Sequence, residues 1–472
     1  MQYRAKIISY PDKIGKILGY WRFAVPLHCA MKTYRQHIKD ILRLGFPMIV
    51  GQLGFVVVGF ADTLMVGRYS TDALAAASFV NNIMTLVIVS LMGFSYGITP
   101  IVSALAAQRN FSRIGSRMRD AAFANTLFAG LLMLVLAVLY FFVDRLGQPA
   151  HLLPLVRPYY IVCWISLAFV AAFNVMRQFA DGLSEPSIGM WLLIGGNVFN
   201  IVFNYFLIYG TFGFPELGLL GAGISTLAAR VLMAVAFIYI VLKLKRFRSS
   251  VASFRTSRTS SKGIRSIFNI SLPISLQSGM ETGSFTFSCV MVGWIGAAQL
   301  ASYQVMVTVG MLGFMFYYGI GAATAIKVAG YAGLNDVGNL RRSAFASHII
   351  LLVMALGASL IFFFFADPLI GIFTTDRDVI AISKTLIIPL ILYQFGDATQ
   401  VCYANALRGT SHVYSMMWIA FISYMAVGLP TGYVLAFVIG LGEVGVFLSF
   451  TVSLFLAGAL FFARFLHHSR AA

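Results

Sequence analysis

Long apolar runs separated by short polar segments dominate this chain. A helix needs about 20 consecutive apolar residues to cross a bilayer. A window of that length predicts twelve spans, at 44–67, 78–105, 121–143, 155–179, 187–209, 218–242, 267–293, 300–326, 344–366, 379–406, 413–438 and 441–465. A Ser- and Arg-rich stretch at 249–261 divides them into two sets of six and is typical of a linker. The pattern predicts an all-α membrane protein of twelve transmembrane helices in two six-helix bundles.

The two halves of the chain resemble one another. A shift of 226 or 227 positions pairs identical residues, as at Pro273 and Pro47, Gly319 and Gly93, Gly409 and Gly182, Ser411 and Ser184, and Trp418 and Trp191. Because each half holds six spans, the repeats share one orientation and are related by a pseudo-twofold axis along the membrane normal. Transporters built this way bind near the midplane, between the repeats.

The repeat predicts the organisation of the chain. We expect a basic cytoplasmic leader at 1–43, an N-terminal lobe at 44–242, a cytoplasmic linker at 243–266, a C-terminal lobe at 267–466 and a cytoplasmic tail at 467–472. The leader lacks a clean apolar core before a small-residue cleavage site, so we expect no cleavable signal peptide. Met31 is an alternative to Met1 as the start of the protein.

The distribution of charge indicates the orientation in the membrane. Only 11% of the residues are charged and the net charge is +18. Nine basic residues precede the first span, four lie at 109–119 and eight at 243–265, whereas the connections on the opposite side carry few. This bias is the positive-inside pattern, which predicts that both termini and the linker are cytoplasmic. The basic clusters are therefore interpreted as topology signals that contact anionic lipids, not nucleic acid.

Three acidic residues, Asp62, Glu281 and Asp397, lie inside otherwise apolar spans. An ionised carboxylate at the membrane centre costs about 2.5–3.5 kcal/mol, so a cation, a proton or a hydrated cavity must offset it. Each has polar or small companions on its own helical face, namely Gln52 and Gly59 for Asp62, Gln277, Ser284 and Ser288 for Glu281, and Tyr393 and Gln400 for Asp397. These faces predict a wet interior. The alternative is a protonated carboxylate that hydrogen-bonds to a neighbouring helix.

The chemistry of the acidic pair leaves the bound ion open. Two carboxylates on mobile helices hold a cation or share a proton, and they attract a cationic organic molecule. Na⁺ prefers hard oxygen ligands, whereas a proton carrier needs a carboxylate that takes up a proton near neutral pH. The sequence predicts Na⁺ or H⁺ at Glu281 and Asp397 without choosing between them, and it predicts no cofactor.

Other polar positions carry weaker signals. Asn200 and Asn204 lie at i and i+4 of the fifth span and either line a cavity or hydrogen-bond across helices. Gln304 of the eighth span has no visible partner and is a cavity candidate. Asp181 and Arg408, at matching repeat positions, are predicted as charges in cytoplasmic turns. The cysteines are expected to be free thiols, at Cys29, Cys163, Cys289 and Cys402.

Several sequence motifs of nucleotide-binding proteins and enzymes are absent from the chain. It contains no GxxxxGK[ST] phosphate loop, so ATP does not power it directly. It also contains no HExxH and no CxxC pair, and the residue two before Gly396 is not the glycine of a GxGD pair. We therefore predict that the protein is not an enzyme.

The chain resembles the multidrug and toxic compound extrusion (MATE) family, and within it the NorM-type branch. The resemblance runs from about residue 44 to the twelfth span and rests on five segments in order, FADTLMVG at 60–67, FGFPELG at 212–218, ASYQ at 301–304, YQFGD at 393–397 and GLPTGY at 428–433. It implies two six-helix bundles that form a V around a central cavity. It further implies a secondary active antiporter of the bacterial inner membrane that exports amphipathic organic cations in exchange for Na⁺ or H⁺.

The resemblance also implies roles for particular residues. Asp62 matches the first-span acid of the N-terminal lobe. Glu281 and Asp397 match the pair that binds the coupling ion, with Tyr393 beside it. Asn200 and Asn204 match an asparagine pair of the fifth helix, where other members carry an aspartate that this chain lacks.

We expect a monomer that contacts membrane lipids. Two other functions stay open at this point. A flippase for lipid-linked oligosaccharides belongs to the same superfamily, but such flippases tend to line their cavity with basic residues. A membrane-embedded hydrolase is a remote alternative, because no nucleophile–base pair is visible in the sequence.

Overall fold

The computed structural model describes residues 15–145 and 149–471, with side chains for 34–145 and 149–469. These residues are almost entirely helical. Residues 1–14 of the leader, the end of the tail and the side chain of Cys29 lie outside this description, as does the choice between Met1 and Met31. The helices are α1 (Gly15–Tyr69), α2 (Thr71–Ser95), α3 (Ile98–Ala107), α4 (Phe111–Tyr140), α5 (Leu153–Gly182), α6 (Pro186–Tyr209), α7 (Gly218–Lys243), α8 (Arg248–Thr256), α9 (Ser261–Ile295), α10 (Ala297–Gly333), α11 (Val337–Phe364), α12 (Ala366–Gly371), α13 (Arg377–Thr385), α14 (Ile387–Gly409), α15 (Val413–Ala420), α16 (Leu429–Tyr433) and α17 (Gly442–Ala471).

Most of these helices are long and apolar enough to cross a membrane. Within the described ranges, ten helical segments are long and apolar enough to cross a membrane. The pair α13–α14, which is bent by 47°, raises the number to eleven if it is one span. The remaining predicted span, 267–293, lies in α9, a helix of 35 residues. Its polar stripe, which includes Gln277 and Glu281, lowers its apolar content. In a bilayer, a helix also satisfies every backbone polar group within its own segment.

The backbone repeats at positions where left-handed conformations are unusual. Arg109 and Asn335 both have a φ of 56°, and they are separated by the repeat shift of 226. Ser184 and Ser411, separated by 227, have φ values of 63° and 61°. Side chains other than glycine seldom adopt this region. The same tight turns therefore end equivalent helices in both halves, as the sequence repeat predicts.

Buried apolar side chains form two clusters, which we call the N-terminal lobe (mainly α2–α7) and the C-terminal lobe (mainly α9–α17). The clusters exchange their first helices in part. Ile41 and Leu44 of α1 pack in the C-terminal cluster, whereas Ile267 of α9 packs in the N-terminal cluster. Ile41 and Ile267 are equivalent in the repeat. The exact domain boundaries given above remain a prediction.

The two lobes meet closely on the side of the bundle that carries the linker. A Cβ atom at Gly97 would lie 3.1 Å from Cα of Ser271, and one at Gly319 would lie 2.7 Å from the amide nitrogen of Ile49. Only glycine allows these approaches. On the same side, Gln108 donates from Nε2 to the carbonyl oxygen of Gly333 at 2.7 Å. The bundle is therefore closed on the linker side.

Polar contacts extend the first helix beyond its predicted span. The apolar window begins at residue 44, but the transmembrane helix is continuous over Tyr34–Tyr69. Lys327 Nζ donates to Asp40 Oδ2 at 2.8 Å, and the His37 ring packs edge-on against Tyr331 at 5.6 Å between centroids. The C-terminal lobe thus supplies partners for the polar start of α1.

The contact between Ala107 of α3 and Gly330 of α10 predicts a cross-link between the lobes. In an otherwise cysteine-free protein with a protease site in the linker, the pair A107C and G330C should form a disulfide, because a Cβ atom at Gly330 would lie 3.9 Å from the Ala107 Cβ atom, within the range for a disulfide. After proteolysis, the halves should stay joined until a reductant is added, as seen by gel mobility. The control pair A107C and L312C, which places the second thiol eighteen residues earlier on α10 at an exposed position, should separate without reductant. Equal cross-linking of both pairs would contradict this packing.

Candidate functional site

A cavity of about 380 Å³ lies between the two lobes. Its walls come mainly from α1, α2, α9, α10 and α14. Most of the lining is apolar or aromatic, and it includes Phe55, Met92, Phe285, Met306 and Phe314. A largely apolar cavity with a few polar groups is the usual composition of a site for a small amphipathic molecule.

Glu281 brings a carboxylate to the wall of this cavity. The polar stripe of α9 faces inward, so Gln277 and Glu281 both line it. Gln277 donates from Nε2 to Glu281 Oε2 at 2.9 Å, one helical turn away. The amide orients the carboxylate while leaving Glu281 partly exposed to the cavity. Among the described residues, it is the acidic member of the lining.

Asp397 lies behind this wall, in the interior of the C-terminal lobe. Its side chain is 1% exposed, and Oδ2 has no hydrogen-bond partner among the described residues. Asp397 nevertheless interacts electrostatically with Glu281. Buried polar atoms are nearly always hydrogen-bonded, so an unpartnered carboxylate oxygen marks a place for a proton or a cation. The structure brings the two predicted acids together.

Neutral oxygen atoms complete this acidic region. Gln277 Oε1, Gln400 Oε1 and the Tyr424 hydroxyl are buried, and none has a partner within the described part of the chain. Tyr393 and Tyr424 both lie near Glu281 and Asp397. Carboxylate and amide oxygens are ligands that a hard cation prefers. The donor set fits Na⁺, and it also fits a proton held between the acids. Sequence reasoning missed Tyr424, which lies on a π-helical turn at Phe421–Gly428.

The acid of the first span belongs to a separate cluster in the N-terminal lobe. Asn204 donates from Nδ2 to Asp62 Oδ1 at 2.5 Å and lies 3.3 Å from Asn200 Oδ1. Ser225 donates to Asn204 Oδ1, and Asn200 donates to Thr226 Oγ1 at 3.2 Å. The structure thus joins the three predicted residues by hydrogen bonds across helices, but it places them outside the lining of the central cavity.

The remaining candidates divide between the cavity and other surroundings. Gln52 and Tyr393 both line the central cavity. Gln304 does not line it: this side chain is exposed, and Nε2 lies 3.0 Å from Cys289 Sγ. Cys163, Cys289 and Cys402 are free thiols, as expected.

Asp181 and Arg408 lie at the linker-side end of the cavity, and the prediction for both residues was wrong. Both were predicted in cytoplasmic turns, but they occupy helix ends and are buried, with exposures of 5% and 7%. Both line a smaller pocket of about 30 Å³, and Arg408, Tyr96 and Tyr318 line this pocket and the central cavity alike. The Arg408 guanidinium lies 5.0 Å from the centroid of the Tyr96 ring, which comes from the other lobe.

The fold and the site define a membrane transporter with two homologous lobes around a central cavity. Comparison with known proteins agrees. The family model MatE matches residues 47–206 and 273–434, and the chain belongs to the MATE family, with NorM-type relatives. It is a multi-pass membrane transporter and not an enzyme.

Relatives and a solved structure match along most of the chain. "Probable multidrug resistance protein NorM" of Photorhabdus laumondii subsp. laumondii is 29% identical over 401 residues, which cover 85% of this chain and 88% of the relative. "Multidrug resistance protein MdtK" of the same organism is 28% identical over 443 residues, covering 92% and 96%. A crystal structure of MATE in complex with MaL6 superimposes with a TM-score of 0.84 at 19% identity, covering 92% and 97%.

The hydrogen bonds of Asn204 predict an effect on stability. N204V removes the amide between Asp62 and Ser225 and leaves buried polar groups without partners, which should lower the free energy of unfolding by about 1–3 kcal/mol. The shift should appear as a lower Tm of the purified protein in detergent. V202A, at an exposed position of the same helix, is the control and should leave Tm nearly unchanged. Equal Tm values for N204V and the wild type would show that this cluster does not stabilise the lobe.

Proposed function

We propose that this chain is a secondary active multidrug efflux antiporter that exports amphipathic organic cations in exchange for Na⁺ or H⁺. One observation carries the proposal most directly: Glu281 faces an apolar cavity while Asp397, just behind it, keeps an unpartnered buried oxygen. Membership of the MATE family and relatives whose names denote multidrug resistance support it.

The cavity suits a flat, hydrophobic molecule with a positive charge. Aromatic and methionine side chains such as Phe55, Phe285 and Met306 offer adaptable apolar contacts. Glu281 attracts a positive group when it is ionised. Because such contacts demand little shape complementarity, they accept many guests, which is what a multidrug transporter requires.

Exchange follows from the charge of the acidic pair. With Glu281 and Asp397 ionised, the cavity attracts a cationic drug. Binding of Na⁺ or H⁺ in the same region cancels this attraction and favours release. An ion shifts a conformational equilibrium only by its differential affinity for the two states. A coupling of about 1.4 kcal/mol changes the affinity for the drug about tenfold, and the drug changes the affinity for the ion by the same factor.

A lipid-linked oligosaccharide flippase is the second candidate. A cavity for a diphosphate linkage needs several cationic groups, whereas Arg408 is the basic side chain that the described lining provides. We also propose that the transporter acts as a monomer in contact with lipids of the bacterial inner membrane. The positive-inside distribution of Lys and Arg supports cytoplasmic termini.

Neutralising the acidic pair tests the site. E281Q and D397N should each reduce ethidium efflux from loaded cells about tenfold or more, because a neutral amide cannot exchange a cation for a drug. The control D367N removes an exposed carboxylate that pairs with Lys384, and it should keep wild-type efflux. Membrane insertion should be equal for all variants by immunoblot. Normal efflux by E281Q or D397N would exclude that residue from coupling.

Separate ion jumps identify the exchanged ion. Inverted vesicles are suspended in a medium that contains ethidium, and an Na⁺ gradient or a pH gradient is imposed across their membrane. The gradient that drives uptake of the dye into the vesicles identifies the exchanged ion. E281Q should respond to neither. A wild-type protein that moves the dye equally without any gradient would contradict antiport, and a flippase would not move the dye at all.

A further inference from the structure

Arg408 brings a positive charge into a cavity expected to receive cations. It is 7% exposed, it lines the central cavity, and its Nε atom has no hydrogen-bond partner in the described part of the chain. A guanidinium carries five N–H donors and stays charged in proteins. Burying an N–H donor without an acceptor is costly, so the Nε atom marks a place for one.

The repeat shows that the equivalent charge in the other lobe is neutralised. Asp181 occupies the position equivalent to Arg408, and Arg177, one turn earlier, pairs with it at 3.8 Å. In the C-terminal lobe, the position equivalent to Arg177 is Ala404, which also lines the cavity. The turn before Arg408 therefore offers space where the N-terminal lobe offers a counter-charge.

The surroundings of Arg408 keep its charge while leaving its donors available. The Tyr96 ring, 5.0 Å from the guanidinium carbon, supports the cation through its π face. A ring face takes up none of the in-plane N–H donors. These donors are therefore available to a planar acceptor such as a carboxylate, which guanidinium binds with two parallel hydrogen bonds.

We propose that Arg408 is a specificity-determining residue that binds the anionic or acceptor end of a substrate whose basic end lies at Glu281. Glu281 and Arg408 both line the cavity, and their opposite charges attract one another. A substrate with a basic group and an acidic group replaces this attraction at both ends. The preferred substrate is a zwitterionic amphiphile with its apolar body against the aromatic wall. The inference rests on the proposed export function and names the substrate class of the same cavity.

A matched pair of compounds tests this role. The probes are a fluorescent aryl amine that also carries a carboxylate, and the methyl ester of the same compound, which keeps only the positive charge. Equilibrium binding to purified wild type, R408Q and R408K is measured in detergent, and efflux is measured in cells. R408Q should weaken binding of the acid about tenfold or more, since hydrogen bonds to charged groups are the strong ones, but it should not weaken binding of the cationic ester, because the variant removes a positive charge from the cavity. R408K keeps the charge but loses the planar pair of N–H donors, so its affinity for the acid should lie between those of the wild type and R408Q.

A control arginine and the ester separate the possible outcomes. R177Q alters an arginine of the smaller pocket that does not line the central cavity, and it should affect acid and ester alike. Equal loss of both probes in R408Q would overturn the proposal and assign Arg408 to closure of the lobes through Tyr96. Unchanged binding of both would also overturn it. Failure of the wild type to export either probe or ethidium would instead refute the export function itself.

Discussion

Polar side chains cannot face acyl chains without a large cost, and this constraint determines how the bundle assembles. Helix α9 shows it most clearly. Gln277, Ser284 and Ser288 are at most 3% exposed, whereas Leu276 and Phe287 on the other face are 47% and 57% exposed. The helix therefore has one acceptable rotation. Because that rotation turns Glu281 inward, the central cavity follows from the need to keep the stripe away from lipid.

The parts of the structure that sequence could predict are those with a strong local period. The apolar runs predict the spans, and the stripe of α9 predicts its buried face. Helix α10 has no such period, because it is apolar nearly all round, so its pattern does not identify the face that carries Gln304. Arg408 packs against Tyr96 of the other lobe. The sequence around Arg408 does not predict this contact. The first helix began earlier than predicted for the same reason, since Lys327 partners Asp40 from the other half.

The two lobes share a backbone but differ in their chemistry. The repeat positions equivalent to Glu281 and Asp397 are Phe55 and Val170 in the N-terminal half. The position equivalent to Asp62 is Ser288. Each lobe therefore carries its polar cluster at a place where the other lobe is apolar or uncharged. Duplication of the fold did not duplicate the acidic pair.

This asymmetry has a consequence for the transport cycle. The charged groups of the cavity, Glu281 and Arg408, belong to the C-terminal lobe, whereas Phe55 and Met92 of the opposite wall belong to α1 and α2. A guest bound between the lobes contacts ionic groups on one side and apolar groups on the other. Any motion that separates the lobes removes one of these two sets of contacts. Affinity therefore depends on how closely the lobes approach. In the exchange proposed above, an ion that neutralised Glu281 would weaken the remaining ionic contacts as the apolar wall withdraws.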